Sequence, residues 1–481
     1  MRVSGVTVRK RLAIVLFVGF IVFLIIDTRL GYVQLLTGDT LTEKAKDLWS
    51  RNIPFEPERG KILDRNDVAL ATNKSAPTVL VMPRQVENPA VTAEKLAKVL
   101  GASKEKVYEQ ITKASSSVYL RPEGRKISHA KANEVRNLNL KGVYIAEDSK
   151  RYYPFGSYLS HVLGFAGVDN QGLTGLELYY DKELKGQKGS VKLYSDAKGK
   201  KMPNIADDYT APVDGLDLRL TIDSRVQTIM ERELDNAQTA YNPDGMIAIA
   251  MNPKNGEILG MSSRPGFDPT DFKNVKPEVY NRNLPIWSVY EPGSTFKIIT
   301  LAAALEEKKV DLLKDQFYDD GAAEVGGARL RCWKKGGHGQ QSFLEVVQNS
   351  CNPGFVELGE RLGKEKLFKY IKEFGFGQKT GIDLPGEKTG VYPSTAWKMK
   401  TYKKPWLPGE TVSASIGQGY FLATPLQVAN ATAILANAGN HLTPHLLSKT
   451  TGAVKYSLAN KPDGKIPFRG TEQDWLKMQT A

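Results

Sequence analysis

Two cysteines among 481 residues allow at most one intramolecular bridge, so no disulfide framework holds this chain together. Histidine is also sparse. His129, His161, His338, His441 and His445 form no ligand cluster along the sequence, and the HLTPH pair spans Pro444. Neither a metal site nor a cofactor is expected. There is no internal repeat, which excludes a solenoid, and no low-complexity tract. Acidic residues are outnumbered 53 to 66, a net charge of +13 that favours anionic surroundings. No nucleic-acid motif accompanies that excess and the basic residues are scattered, so nucleic acid is not an expected partner.

What is present is a folded, multidomain composition. The length exceeds one ordinary core, and 41% hydrophobic with 25% charged residues is a globular balance. One apolar run stands out, uninterrupted from Leu12 to Ile26 behind Arg2, Arg9, Lys10 and Arg11. It is shorter than the roughly 20 residues of a full span. Snorkelling arginines and an interfacial Tyr32 lengthen it. A cleaved signal peptide would show a small-x-small site, whereas DTRLGYVQLL follows. The reading is a cytoplasmic tail over 1–11 and an uncleaved anchor over 12–32, with the rest outside the cytoplasm. There Cys332 and Cys351 can oxidise and stay oxidised.

Beyond the anchor, LTEKAKDLWSRN reads as a polar stalk, and 55–73 as a β-hairpin with RND as its turn. A charged helical region spans about 90–140. Composition shifts near Gly215. A short strand and a helix capped by Asp223 or Ser224 follow, then a hairpin over 244–263 turning at Asn255-Gly256. Next comes EPGSTFKIITLAAAL, an apolar helix opened by Ser294 and Lys297.

Ser-x-x-Lys spacing alone is cheap, since Ser103, Ser128 and Ser195 also precede a lysine by three. Context raises its value. At i and i+3 the two side chains share a helix face. The helix N-terminus favours a developing anion. A serine needs a base, and a buried lysine with a depressed pKa can serve. The bland alternative is a helix cap beside a surface lysine. Ser350-Cys351-Asn352 then opens a second helix, NPGFVELGERL, with Pro353 in its first turn. Ser350 could relay a proton and Asn352 hold a substrate amide; the bland alternative for Asn352 is an N-cap.

GSTFK together with SCN resembles the serine–lysine penicillin-binding proteins and β-lactamases. RGKILDRNDVALATN, RYYPFGSYLSHVLGF, NQGLTGLE, LTIDSRVQ and YEPGSTFKIIT are similar to the class B penicillin-binding proteins. Over about residues 1–383 the likeness is to their sporulation-specific D,D-transpeptidases. Residues about 384–447 look more like the elongation-type enzymes. The resemblance implies an α+β multidomain fold: a single N-terminal transmembrane helix, an extended dimerisation-like pedestal over 33–215, and a penicillin-binding transpeptidase domain over 216–481. It implies a bacterial membrane protein, with the forespore outer membrane as one location, that cross-links peptidoglycan stem peptides through an acyl-serine and binds β-lactams. Ser294 would be the nucleophile, Lys297 the general base, Ser350 the proton relay and Asn352 a substrate contact.

The family's third motif, Lys-Thr/Ser-Gly on a strand, has no clear counterpart. Lys379-Thr380-Gly381 and Lys388-Thr389-Gly390 both precede the GQG…TPLQ segment that should come first, and past Leu447 the pattern is polar, with no strand of the right type. The transpeptidase domain thus reads as C-terminally incomplete, a fragment, frameshift product or chimera with weak activity or none. The alternative is a non-catalytic anchored scaffold for a membrane glycan polymerase. A secreted β-lactamase fits the anchor and pedestal poorly, and so short a cytoplasmic tail cannot supply a sensor's signalling region. Cys351 sits inside the second motif, so a Cys332–Cys351 bridge would form a redox switch served by a thiol–disulfide oxidoreductase; two unpaired thiols are the other reading.

Overall fold

The computed structural model describes residues 5–38, 40–41, 50–115, 117–194, 208–451 and 464–465. The polar stalk and Ser195 therefore fall largely or wholly outside the described residues. Two compact units interleave along the chain. The first comprises 1–57, 77–148 and 187–213; the second comprises 58–76, 149–186 and 214–481.

The first unit begins with the helix Gly5–Leu36, which outruns the apolar stretch at both ends because helical hydrogen bonding does not stop at its polar flanks. Its Arg9–Leu36 portion is long and apolar enough to cross a membrane. Residues 90–140 are largely helical, as their pattern implies. Pro89–Leu100, Lys104–Ile111 and His129–Asn137 are capped by Asn88, Ser103 and Ser128, and Gly101 ends the first in the left-handed region. Two of the decoy Ser-x-x-Lys serines are thus N-caps. Leu96, Val107, Ile111 and Val135 bury against Val79 and Val81 of the strand Thr78–Val81.

In the second unit, Ile62–Leu63 and Ala69–Ser75 form the expected hairpin. Asp64 makes its turn by accepting from the Asn66 and Val68 amides. The hairpin joins a five-stranded sheet in the order Leu447–Thr451, Asp217–Leu220, Ile62–Leu63, Ala69–Ser75, Ser149–Tyr152. The polar end past Leu447 does contain a strand. Its backbone pairs antiparallel with Asp217–Leu220, so pairing outweighs the absence of apolar alternation. Met246–Met251 and Ile258–Arg264 form the second expected hairpin, with Gly256 at φ +79°. Asp223 caps the helix Ser224–Tyr241.

Three of the resemblance segments meet in one buried ion cluster. Glu177 of NQGLTGLE accepts from Arg59 Nε of RGKILDRN and from Arg151 Nε of RYYPFG, each at 2.6 Å. Arg59 also reaches Asp181 and the Asn170 carbonyl at 2.8 and 2.7 Å. A second apolar core carries the helices Lys297–Glu306 and Asn352–Glu373, with Phe296, Phe355, Leu358, Phe376 and Phe421 buried.

Candidate active site

Ser294 lies not on the α-helix but in a 3₁₀ turn, Gly293–Phe296, that leads into Lys297–Glu306. Gly293 has φ +58°, a conformation that favours glycine. Phe296 anchors the turn from below, its ring centroid 4.7 Å from that of Phe421 and 5.6 Å from that of Phe376. The turn is clamped from outside: Gly293 N–H donates to the Gly417 carbonyl at 2.9 Å, and Gly419 N–H to Glu291 Oε1 at 2.8 Å. A Cβ on Gly417 would lie 2.4 Å from the Gly293 carbonyl oxygen, so only glycine permits this approach. The sequence signal for the clamp was the glycine pair in ASIGQGY.

Ser294 is exposed whereas Lys297 is only 3% exposed. This divergence replaces the simple shared-face expectation. Lys297 turns inward and donates to Asn352 Oδ1 at 2.6 Å, the Ser350 carbonyl at 2.8 Å and Ser350 Oγ at 3.1 Å. Burial lowers its pKa to about 8, opposed by the neighbouring Cys351 and Cys332. The surface-lysine alternative is excluded. The capping alternative for Asn352 also fails. Cys351 is the N-cap and Asn352 the first helical residue, its amide donating to the Arg331 carbonyl at 2.9 Å. Ser350 sits at φ +48°, a strained value for a non-glycine residue.

Behind Ser350 the fold assembles what the sequence kept apart. Asp319, Cys332, His338 and Cys351 place one donor atom each within 4.8 Å of one another. This corrects the expectation that no histidine joins a ligand cluster, since Asp319 and the glycine-rich loop converge only in three dimensions. His338 Nδ1 is 2.8 Å from Asp319 Oδ2 and 3.3 Å from Cys332 Sγ; Cys351 Sγ donates to the same carboxylate oxygen at 3.3 Å. Both thiols are free. Burial, then Asp319, pushes Cys351 up to about 12, and burial raises Cys332. Burial alone would raise Asp319, but hydrogen bonds from Cys332, His338, the Gly321 amide and Cys351 hold it below the usual carboxylate range. His338 Nε2 is buried without a partner among the described residues.

Such a soft, mixed donor set suits a tetrahedral zinc ion. Ligands at about 2.0–2.3 Å give donor–donor edges of roughly 3.3–3.8 Å, so the four side chains need close by only about an ångström. The same proximity lets the two sulfurs bond.

Neither K-T-G string lies on a strand. Thr380 N–H and Oγ1 both donate to Glu387 Oε1 at 2.6 Å, and the Thr389 carbonyl accepts from Gln427 at 2.9 Å. Both are loop structure.

Comparison with known proteins identifies the family of this chain. The Penicillin binding protein transpeptidase domain matches residues 246–479 and the Penicillin-binding Protein dimerisation domain residues 54–220. Stage V sporulation protein D of Bacillus subtilis is 69% identical over 93% of this chain and 68% of its own length. Peptidoglycan D,D-transpeptidase MrdA of Acinetobacter baumannii is 34% identical over 98% of this chain and 74% of its own. The penicillin-binding protein PBP2 of Helicobacter pylori, solved with MreC, superposes with a TM-score of 0.71 at 29% identity, covering 89% of this chain and 83% of that one. With the apolar N-terminal helix, these likenesses describe a single-pass membrane protein with an extracytoplasmic catalytic domain. The chain belongs to the class B penicillin-binding proteins, the peptidoglycan D,D-transpeptidases with a dimerisation and a transpeptidase domain.

Proposed function

We propose that Ser294, Lys297, Ser350 and Asn352 carry the transpeptidation of this chain, acting on stem peptides in spore cortex synthesis. The observation that supports these roles is the buried Lys297 ammonium, held on Ser350 Oγ and Asn352 Oδ1 behind an exposed Ser294. Neutral Lys297 takes the Ser294 hydroxyl proton as Oγ attacks the penultimate D-Ala carbonyl carbon. The oxygen–carbon bond forms, the carbon–nitrogen bond breaks, and the proton passes through Ser350 to the departing D-Ala amine. An amine of a neighbouring strand then attacks the acyl-serine, and the hydroxyl regains its proton. Asn352 orients the substrate amide. A β-lactam enters the same first step and remains attached.

Fluorescent penicillin tests this. A covalent adduct on the wild-type chain that vanishes in Ser294→Ala supports the assignment. The absence of any adduct, with a membrane glycan polymerase still retained by Ser294→Ala, supports the anchored scaffold instead. The forespore outer membrane is the proposed location, with the pedestal over 33–215 and the catalytic domain over 216–481.

The Asp319–Cys332–His338–Cys351 cluster adds a regulatory reading. Either the two thiols bridge, giving two electrons and two protons to the disulfide of a thiol–disulfide oxidoreductase, or the four donors hold one divalent zinc ion. The sulfurs cannot do both, because a disulfide sulfur is no thiolate ligand. Chain purified under reductant is expected to hold about one zinc per chain by mass spectrometry. That zinc is lost in Cys332→Ser and on oxidation with a dithiol oxidant. Zinc retained after complete bridging would sink the exclusive scheme.

A further inference from the structure

We propose that Trp333 is a positioning residue for Ser350, acting through a single hydrogen bond from its indole N–H. The role rests on Ser350 serving in acyl transfer as proposed above. Trp333 is 67% exposed, so burial of its ring does not explain its place. Its Nε1–H donates to the Asn349 carbonyl at 2.8 Å, and the ring packs edge-on against His338 at 5.3 Å.

Asn349 is the C-cap of the helix Phe343–Gln348. Carbonyls at a helix end lack intrahelical partners, and here an indole from a distant loop supplies one. That carbonyl belongs to the peptide unit whose nitrogen is that of Ser350. Any rotation of this unit changes the Ser350 φ, and Ser350 is held at +48°, where a non-glycine residue returns to an extended or right-handed form unless restrained.

The restraint is two-sided. On the other flank Asn352 Nδ2–H donates to the Arg331 carbonyl, two residues before Trp333. The end of the hairpin Ala322–Val325/Ala328–Arg331 therefore grips the Ser-x-Asn segment both before and after Ser350. Lys297 reads the result, since two of its three acceptors are the carbonyl and hydroxyl of Ser350. Loss of the indole bond should let the 349–350 peptide relax and carry both acceptors away from Lys297. It should slow chemistry more than it weakens non-covalent binding.

The discriminating substitution replaces Trp333 by β-(3-benzothienyl)alanine, in which sulfur stands for N–H and the ring shape is kept. Trp333→Ala removes both ring and donor. One lost hydrogen bond predicts a three- to tenfold effect in each readout. In both variants, hydrogen exchange at the Ser350 and Cys351 amides, which donate to the Val347 and Val346 carbonyls, rises by that factor. The rate constant for penicillin acylation falls by a similar factor while the pre-covalent dissociation constant stays within about twofold. Wild-type exchange in the benzothienyl variant would overturn the proposal and leave Trp333 as packing only. So would a change confined to the dissociation constant, which would make Trp333 a substrate contact. Exchange needs no acylation, so a wild-type chain that takes no penicillin would refute the catalytic assignment while this test still decides the role of Trp333.

Discussion

Lys297→Met is expected to slow penicillin acylation of Ser294 about a thousandfold while leaving the chain folded. General bases contribute roughly 10²- to 10⁴-fold, and methionine keeps an unbranched apolar stem one atom shorter than lysine, without a titratable nitrogen. The pH dependence follows from burial. Only neutral Lys297 can accept the serine proton, and its pKa is lowered to about 8, with burial the largest cause. The wild-type rate should therefore rise through about pH 8 and level off above it. At pH 7 it should stand near a tenth of its plateau. Stability carries the same signature. A lysine whose folded pKa is depressed binds fewer protons folded than unfolded between about pH 8 and its ordinary value of 10.5. Stability thus rises with pH across that window. Below about pH 8 the full penalty of burying the ammonium is present. Denaturant titrations of wild type against Lys297→Met at two pH values isolate this contribution. A pH-independent difference between them would contradict the assignment of Lys297 as the titrating base.

Glu177→Ala is expected to produce the largest loss of stability, about 3–5 kcal/mol in denaturant unfolding of the second unit. Glu177 is fully buried and its two oxygens each hold a guanidinium, Arg59 and Arg151, both themselves buried. Truncation leaves two cations in the interior facing each other without their shared counter-charge. Arg59 retains Asp181 and backbone acceptors, which limits its share of the loss. Glu177→Gln should fall between, because it keeps the shape and one acceptor but removes the charge. A loss below about 1 kcal/mol for the alanine variant would mean that the cluster is solvated or dispensable.

Local readings from sequence succeeded where the physics is local. The turn at RND is made by Asp64 bonding its own neighbours, and the turn at Asn255-Gly256 by glycine's freedom at positive φ. The helix cap at Asp223 likewise needs only adjacent residues. Failures came where partners are distant. The strand Leu447–Thr451 looks like polar coil because its partner, Asp217–Leu220, lies more than two hundred residues upstream. The Ser-x-x-Lys pair was legible as a motif, but its geometry was not. Ser294 faces solvent and Lys297 faces the Ser-x-Asn segment because the intervening turn is 3₁₀ and Phe296 is pinned beneath it.

By itself the amino-acid order determined the family and the apolar N-terminal helix, and it singled out Ser294, Lys297, Ser350 and Asn352 as the candidate site, since those depend on residue type and spacing. Tertiary structure alone decided how deeply Lys297 is buried, and burial is what moves its pKa into a useful range. It also decided that Asp319, Cys332, His338 and Cys351 share one pocket of charge behind Ser350. Desolvation and donor convergence are properties of what surrounds a side chain in space, and no window of sequence contains that surrounding.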